Sequence, residues 1–197
     1  MRDLDPREVN SLRNMVAFAV LSHTLDLITT QWRDPVLANE GNPFYQLAEH
    51  LGFQGWPWLV STKVIIVGML GIGYLWHMRV RDQYLPDKIV NSARSLIWYG
   101  MWDRKPYPRS MVARLFNRRK FAFLGLVLAG TALPGSGAAA LFISIDNASV
   151  ALGHAISMRV AGMFLMAVVL LSFVWWYRAY WGYYREQVRA GVITNVD

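Results

Sequence analysis

Three charged side chains sit where an apolar chain would not ordinarily put them: Asp26 in "HTLDLITTQW", Lys63 in "WLVSTKVIIVG" and Arg159 in "GHAISMRVAGM". On a helix, residues three and four apart share a face. Asp26 therefore shares a polar stripe with Ser22, His23, Thr29 and Thr30. Asp26 lies six residues before Trp32 and Lys63 six residues after Pro57, each about 9 Å from a span end at 1.5 Å per residue. Arg159 lies five residues into the fourth span as read below, close to the same level. A lone charge at that depth costs several kcal/mol, so pairing of Asp26 with Lys63, extended by Arg159, is the economical arrangement. Two kinds of chemistry fit. One is a structural ion pair that fixes helix positions. The other is an outward-facing site for a phosphate or carboxylate, serving transport or an enzyme acting on lipid, since Lys63 and Arg159 are both donors.

The segment between the first two spans adds Glu40, Asn42, Pro43 and His50. "NEGNPF" is rich in turn formers, and "NPFYQLAEHLG" reads as a short helix capped by Asn42 with Pro43 at its first position. Folded down as a lid, it brings Glu40 within reach of Lys63 or Arg159.

The elements that must position these groups are apolar runs. The chain has 197 residues, 54% hydrophobic, with nine each of Trp, Tyr and Phe. The hydrophobicity gathers into four runs at roughly 13–32, 57–78, 120–145 and 154–178, each near the ~20 residues that cross a bilayer core. The expected fold is one all-α membrane domain: four transmembrane helices in a bundle. The first run follows the mixed-charge "MRDLDPREVNSLRN", contains Asp26 and lacks a small-x-small cleavage site, so it reads as a retained helix rather than a signal peptide.

Seventeen of the twenty Lys and Arg fall in the N-terminal tail, the long 79–119 loop with its edges, and the C-terminal end; Arg33 alone falls in the opposite loops. The positive-inside rule then puts both termini and the long loop in the cytoplasm, in a multi-pass protein of the cytoplasmic membrane. This asymmetry accounts for most of the +7 net charge without a nucleic-acid partner. Trp32, Trp56 and Trp58 mark the outer border, and Trp76, Trp175, Trp176, Tyr177, Tyr180 and Trp181 the inner one. Within the basic loop, Ile89, Ala93, Leu96, Ile97 and Met101 form one amphipathic face, and Met111, Val112, Leu115 and Phe116 a second. Such segments lie in the headgroup layer and attract anionic lipid. In the third span, Pro134, Gly135 and Gly137 predict a kink, with Ser136 placed to satisfy a freed carbonyl, or a discontinuous helix lining a cavity. Gly153, Ser157 and Ala161 recur every four residues and would let the fourth span approach a helix of this chain or of a second copy.

Other constellations are weaker. No cysteine is present, which excludes disulfide, thiolate and iron–sulfur chemistry. His77 and His154 belong to opposite membrane faces, which disfavours a haem held between them. His23, Asp26, Glu40, His50, Asp146 and His154 show no paired-ligand motif, and Lys63 repels a cation, which disfavours a metal hydrolase. Ser136 has no histidine at matching depth for a serine protease. No cofactor is implied.

Asp26-x-x-Thr29-Thr30, then Glu40-x-Asn42-Pro43, then Lys63 resembles an uncharacterised family of small integral membrane proteins of prokaryotes, a domain of unknown function. The resemblance covers about the first third of the chain. It implies that these residues form one unit, and it implies no reaction. The expected function is a non-enzymatic bundle associating with lipid, a further copy or a membrane partner complex.

Overall fold

Local signals set each helix end. In the computed structural model, which describes residues 4–38, 40, 42–102, 117–154 and 156–194, every regular element among them is helical. Helix α1 (Pro6–Arg33) starts at Asp5, whose carboxylate accepts from the Glu8 amide at 2.9 Å while the Glu8 side chain accepts from the Asp5 amide at 3.0 Å. This reciprocal capping box satisfies two amides that the first turn cannot, and Pro6 suits the position because it has no amide to lose. The helix stops at Asp34, whose place before Pro35 disfavours helical backbone. Helix α2 (Pro43–His50) follows, and α3 (Trp56–Val80) runs into a short 3₁₀ turn at Arg81–Tyr84. Helix α4 (Ala93–Trp102) precedes α5 (Arg118–Ala151), where the Asn117 side chain accepts from the Arg119 and Lys120 amides. Helix α6 (Met158–Arg189) is capped by Ser157.

Among the described residues, three helices are long and apolar enough to cross a membrane: α3 with its following turn, α5 and α6. At 28 residues, α1 has the length, ~42 Å, but Glu8, Arg13, His23 and Asp26 dilute its apolarity.

Helix α5 is the hub, packing against α1, α3, α4 and α6. Contacts fix the directions. Gly137 of α5 meets Phe18 and Ala19 of α1, and Asn147 meets Arg33, so α1 and α5 run parallel. Gly73 meets Ala129, and His77 Nδ1 lies 3.0 Å from the Leu126 carbonyl, so α3 runs antiparallel to α5. Gly135 meets Ser172, and Phe142 stacks on Phe164 with centroids 4.1 Å apart, so α6 also runs antiparallel. Pro134 does not break α5, which is continuous through it; the Ser136 hydroxyl donates to the Leu133 carbonyl at 2.9 Å. The carbonyl that a proline at 134 leaves without its amide partner is that of Gly130, so Ser136 does not serve it.

At one end, α4 lies over an aromatic core of Phe123, Trp176, Tyr180 and Tyr184. Leu96 is buried there, with Ile97 and Met101 packed beside it, so this part of the amphipathic face rests on protein, while Ile89 is exposed ahead of the helix. The second amphipathic segment, Met111 to Phe116, lies outside the described residues. Glu8 and Arg81 form an ion pair, Tyr183 donates to Asp82, and the Arg81 guanidinium sits 3.4 Å from the Tyr183 ring centre, tying α1, α3 and α6 together.

At the other end, Leu37, Tyr45, Leu59, Leu27 and Trp56 fold the α2 segment against α1 and α3. Here two expectations shift. Helix α5 extends to Ala151 and α6 begins at Met158, so the connection between them starts at 152 rather than 146. Gly153 occupies that turn with φ +82°, and Ser157 is a cap, so Gly153, Ser157 and Ala161 do not line one helical face.

Candidate functional site

One face of α1 is polar and turned inward. Ser22, His23, Asp26 and Thr30 are buried, whereas Leu21, Leu25, Ile28 and Trp32 are exposed. Asp26 and Ser22 are the deepest, each 2% exposed. Asp26 Oδ2 forms an ion pair with Lys63 Nζ of α3. Its Oδ1 accepts from Thr30 Oγ1 and from Asn147 Nδ2 of α5, each at 3.4 Å. Asn147 Nδ2 also donates to Thr30 Oγ1 at 3.0 Å, and Asn147 Oδ1 accepts from Arg33 at 2.7 Å. A charged hydrogen bond, a hydroxyl and an amide thus satisfy the carboxylate from three helices, as a charge out of water requires.

The other expected members part company. Thr29 Oγ1 donates to the Leu25 carbonyl at 2.9 Å, on its own helix. Glu40 stays within its loop, where Oε1 accepts from the Asn42 amide at 2.8 Å and its carbonyl accepts from Gln46 at 3.1 Å. Asn42 is buried just before α2, and Gly41 lies outside the described residues. Arg159 is exposed in the first turn of α6 and is not among the partners of Asp26; the later start of that helix, at Met158 rather than 154, accounts for the shift. His50 and His154 are exposed. Among the described residues, no three His, Asp or Glu side chains converge as metal ligands would.

His23 has a different environment. It is 9% exposed, and neither ring nitrogen has a hydrogen-bond partner among the described residues. With Lys63 it lines a groove of about 290 Å³ between α1 and α3, otherwise walled by Val20, Thr24, Leu27, Val64, Val67 and Gly68.

Sequence reasoning did not assign Asn147 to this cluster, because a polar residue near the end of an apolar run reads as a boundary. Ala140, Ser144 and Asn147 are nonetheless a small and polar series at helical spacing, buried on one side of α5. Glu8 and Arg81 were also unassigned; the spacing of Asp5 and Glu8 is the signal that marks the helix start there.

No family model, curated protein or solved structure matches the chain. The chemistry must be argued from the geometry alone. The arrangement around Asp26 is a clamp across α1, α3 and α5.

Proposed function

We propose that the chain is a non-enzymatic, four-span protein of the cytoplasmic membrane whose bundle associates with a partner subunit or with lipid. In this reading α1 is the fourth span, the termini and α4 face the cytoplasm, and Asp26 clamps the helices instead of reacting. The observation that carries the reading is the inverted character of α1. Its carboxylate is buried and paired, while its large apolar side chains face outward, as hydrocarbon surroundings require. The alternating directions of α1, α3, α5 and α6 support it, since each is then one crossing. The unit formed by Asp26, Thr30 and Lys63 is also consistent with the resemblance in the first third of the chain.

Association is supported by α6. Met163, Met166, Leu170 and Val174 recur at helical spacing along one exposed side. Native mass spectrometry of protein extracted gently from its own membrane tests this. The expected spectrum shows the 22.5 kDa chain with a second polypeptide or a lipid at fixed stoichiometry, weakened by Met166→Ser with Leu170→Ser. A bare chain in every extract would contradict association.

A further inference from the structure

The α4 end of the bundle holds a cavity of about 260 Å³ between residues 89–91 and the last turns of α6. Its floor is apolar: Val90, Trp181, Tyr184 and Val188 are buried or half-buried. Asn91, Arg185 and Arg189 line its open side, and each is exposed. Tyr184 holds the two walls together. Its hydroxyl accepts from the Val90 amide at 2.6 Å and donates to the Val90 carbonyl at 3.3 Å, and its ring stacks on Trp181 with centroids 5.2 Å apart. The cavity is therefore built into the fold.

The electrostatics of this cavity call for an anion. Arg185 and Arg189 lie four residues apart, so they share a helix face, where like charges repel. Among the described residues, neither guanidinium has a hydrogen-bond or ion-pair partner. No carboxylate lines the cavity; Glu186, the next residue of α6, is not one of its walls. Two full positive charges outweigh the roughly half negative charge of a helix C-terminus. Guanidinium forks match phosphate oxygens in pairs, and Asn91 adds an amide donor. With no acidic wall, nothing is placed to hold the ammonium of a zwitterionic head. Depth selects the carrier of the phosphate. Trp181 lies one turn before Arg185, and tryptophan rings prefer the headgroup level. Helix side chains lean toward the N-terminus, which for α6 is the direction of its apolar stretch, so both arginines reach back toward Trp181. Ile89, 37% exposed, and Val188 flank the cavity with apolar surface suited to a glycerol backbone and the start of an acyl chain. The volume fits a small head and leaves the chains in the bilayer.

We propose that Arg185, Arg189 and Asn91 form a headgroup site for the phosphate of an anionic phospholipid in the leaflet at the α4 end. A soluble phosphate ester carries the same group without acyl chains, and the test separates the two. The proposal rests on the chain being membrane-embedded. It is read with lipid added to the purified chain, so it stands or falls apart from what Met166 and Leu170 carry out of the native membrane.

The test uses the full chain, delipidated in detergent and read by native mass spectrometry. It is titrated with dioleoylphosphatidylglycerol, with dioleoylphosphatidylcholine and with glycerol 3-phosphate. Two double variants accompany wild type. Arg185→Gln with Arg189→Gln empties the cavity of charge. Arg94→Gln with Arg178→Gln removes the same charge from two exposed positions that do not line it. All four positions are exposed, so the fold accommodates both variants. The expected result is saturable binding of phosphatidylglycerol, tighter than that of either other probe. It is weakened roughly 10-fold or more by the first variant, as the loss of charge-assisted hydrogen bonds implies, and by less than about 3-fold by the second. Equal weakening in the two variants would mean a diffuse attraction to basic surface and would overturn the site. Glycerol 3-phosphate bound as tightly as phosphatidylglycerol would overturn the lipid as the carrier. Phosphatidylcholine bound as tightly, or no saturable binding of phosphatidylglycerol, would overturn the anionic headgroup site itself.

Discussion

Asp26 and His23 lie one helical turn apart on the same buried face, and their surroundings assign them different tasks. Asp26 is matched on both oxygens by Lys63, Thr30 and Asn147; His23 is matched on neither nitrogen among the described residues. Removing one member of a buried pair strands the other, at about 3–5 kcal/mol, whereas replacing both is often nearly neutral. Lys63→Met alone and Asp26→Asn alone are therefore each expected to destabilise the protein by about 3 kcal/mol, and the double variant to lie within about 1 kcal/mol of wild type. Reversible denaturant unfolding in detergent measures all four. A double variant as damaged as the worse single would exclude a self-contained pair. The pair was legible because depth follows from counting residues along two helices. Asn147 was not, since facing depends on how α5 is rotated against α1, which no count along the chain supplies. Arg159 diverges from the cluster because its helix starts at Met158, and Glu40 because it bonds within its own loop, to the Asn42 amide.

Between elements, packing depends on close approach to α5. A Cβ on Gly130 would sit 2.6 Å from Trp176 Cδ1 and 2.9 Å from His77 Cε1, both rings held in the core. Gly125, five residues earlier, has open space. Gly130→Ala is expected to cost about 1–3 kcal/mol by overpacking, and Gly125→Ala to gain about 0.5–1 kcal/mol from helix propensity. Thermal unfolding of the two variants checks the contrast; equal shifts would mean that Trp176 and His77 do not seat against Gly130. The long helices were legible in the sequence as apolar runs, the α2 segment as a short capped helix and the α4 segment as an amphipathic one. Their ends were less so. Asp146 and Asn147 mimic a stop signal, yet α5 continues to Ala151 because its side chains there face protein as well as exterior. Pro134 signalled a kink or an interruption, and α5 is continuous through it.

For the whole molecule, polarity is arranged by end. The α4 end carries Arg7, Arg79, Arg81, Lys88, Arg94, Arg118, Arg119, Lys120, Arg185 and Arg189, and the α2 end carries Arg33, with Arg159 in the first turn of α6. That difference and the helix directions together fix an orientation if α1 crosses. The membrane-length helices were legible from composition, and the charge asymmetry is the ground of the proposed orientation. The crossing of α1 is the step on which the account turns, because its polar face alone would equally suit a helix lying outside the bilayer. The absence of native cysteine makes each introduced thiol unique. Arg7→Cys, Asn91→Cys, Glu49→Cys and His154→Cys all replace exposed residues. In sealed right-side-out membrane vesicles, a membrane-impermeant maleimide is expected to label positions 49 and 154 and to leave 7 and 91 unlabelled until the vesicles are opened. Labelling of 7 and 49 from the same side would show that α1 does not cross, and would contradict the four-span account and its buried Asp26 clamp.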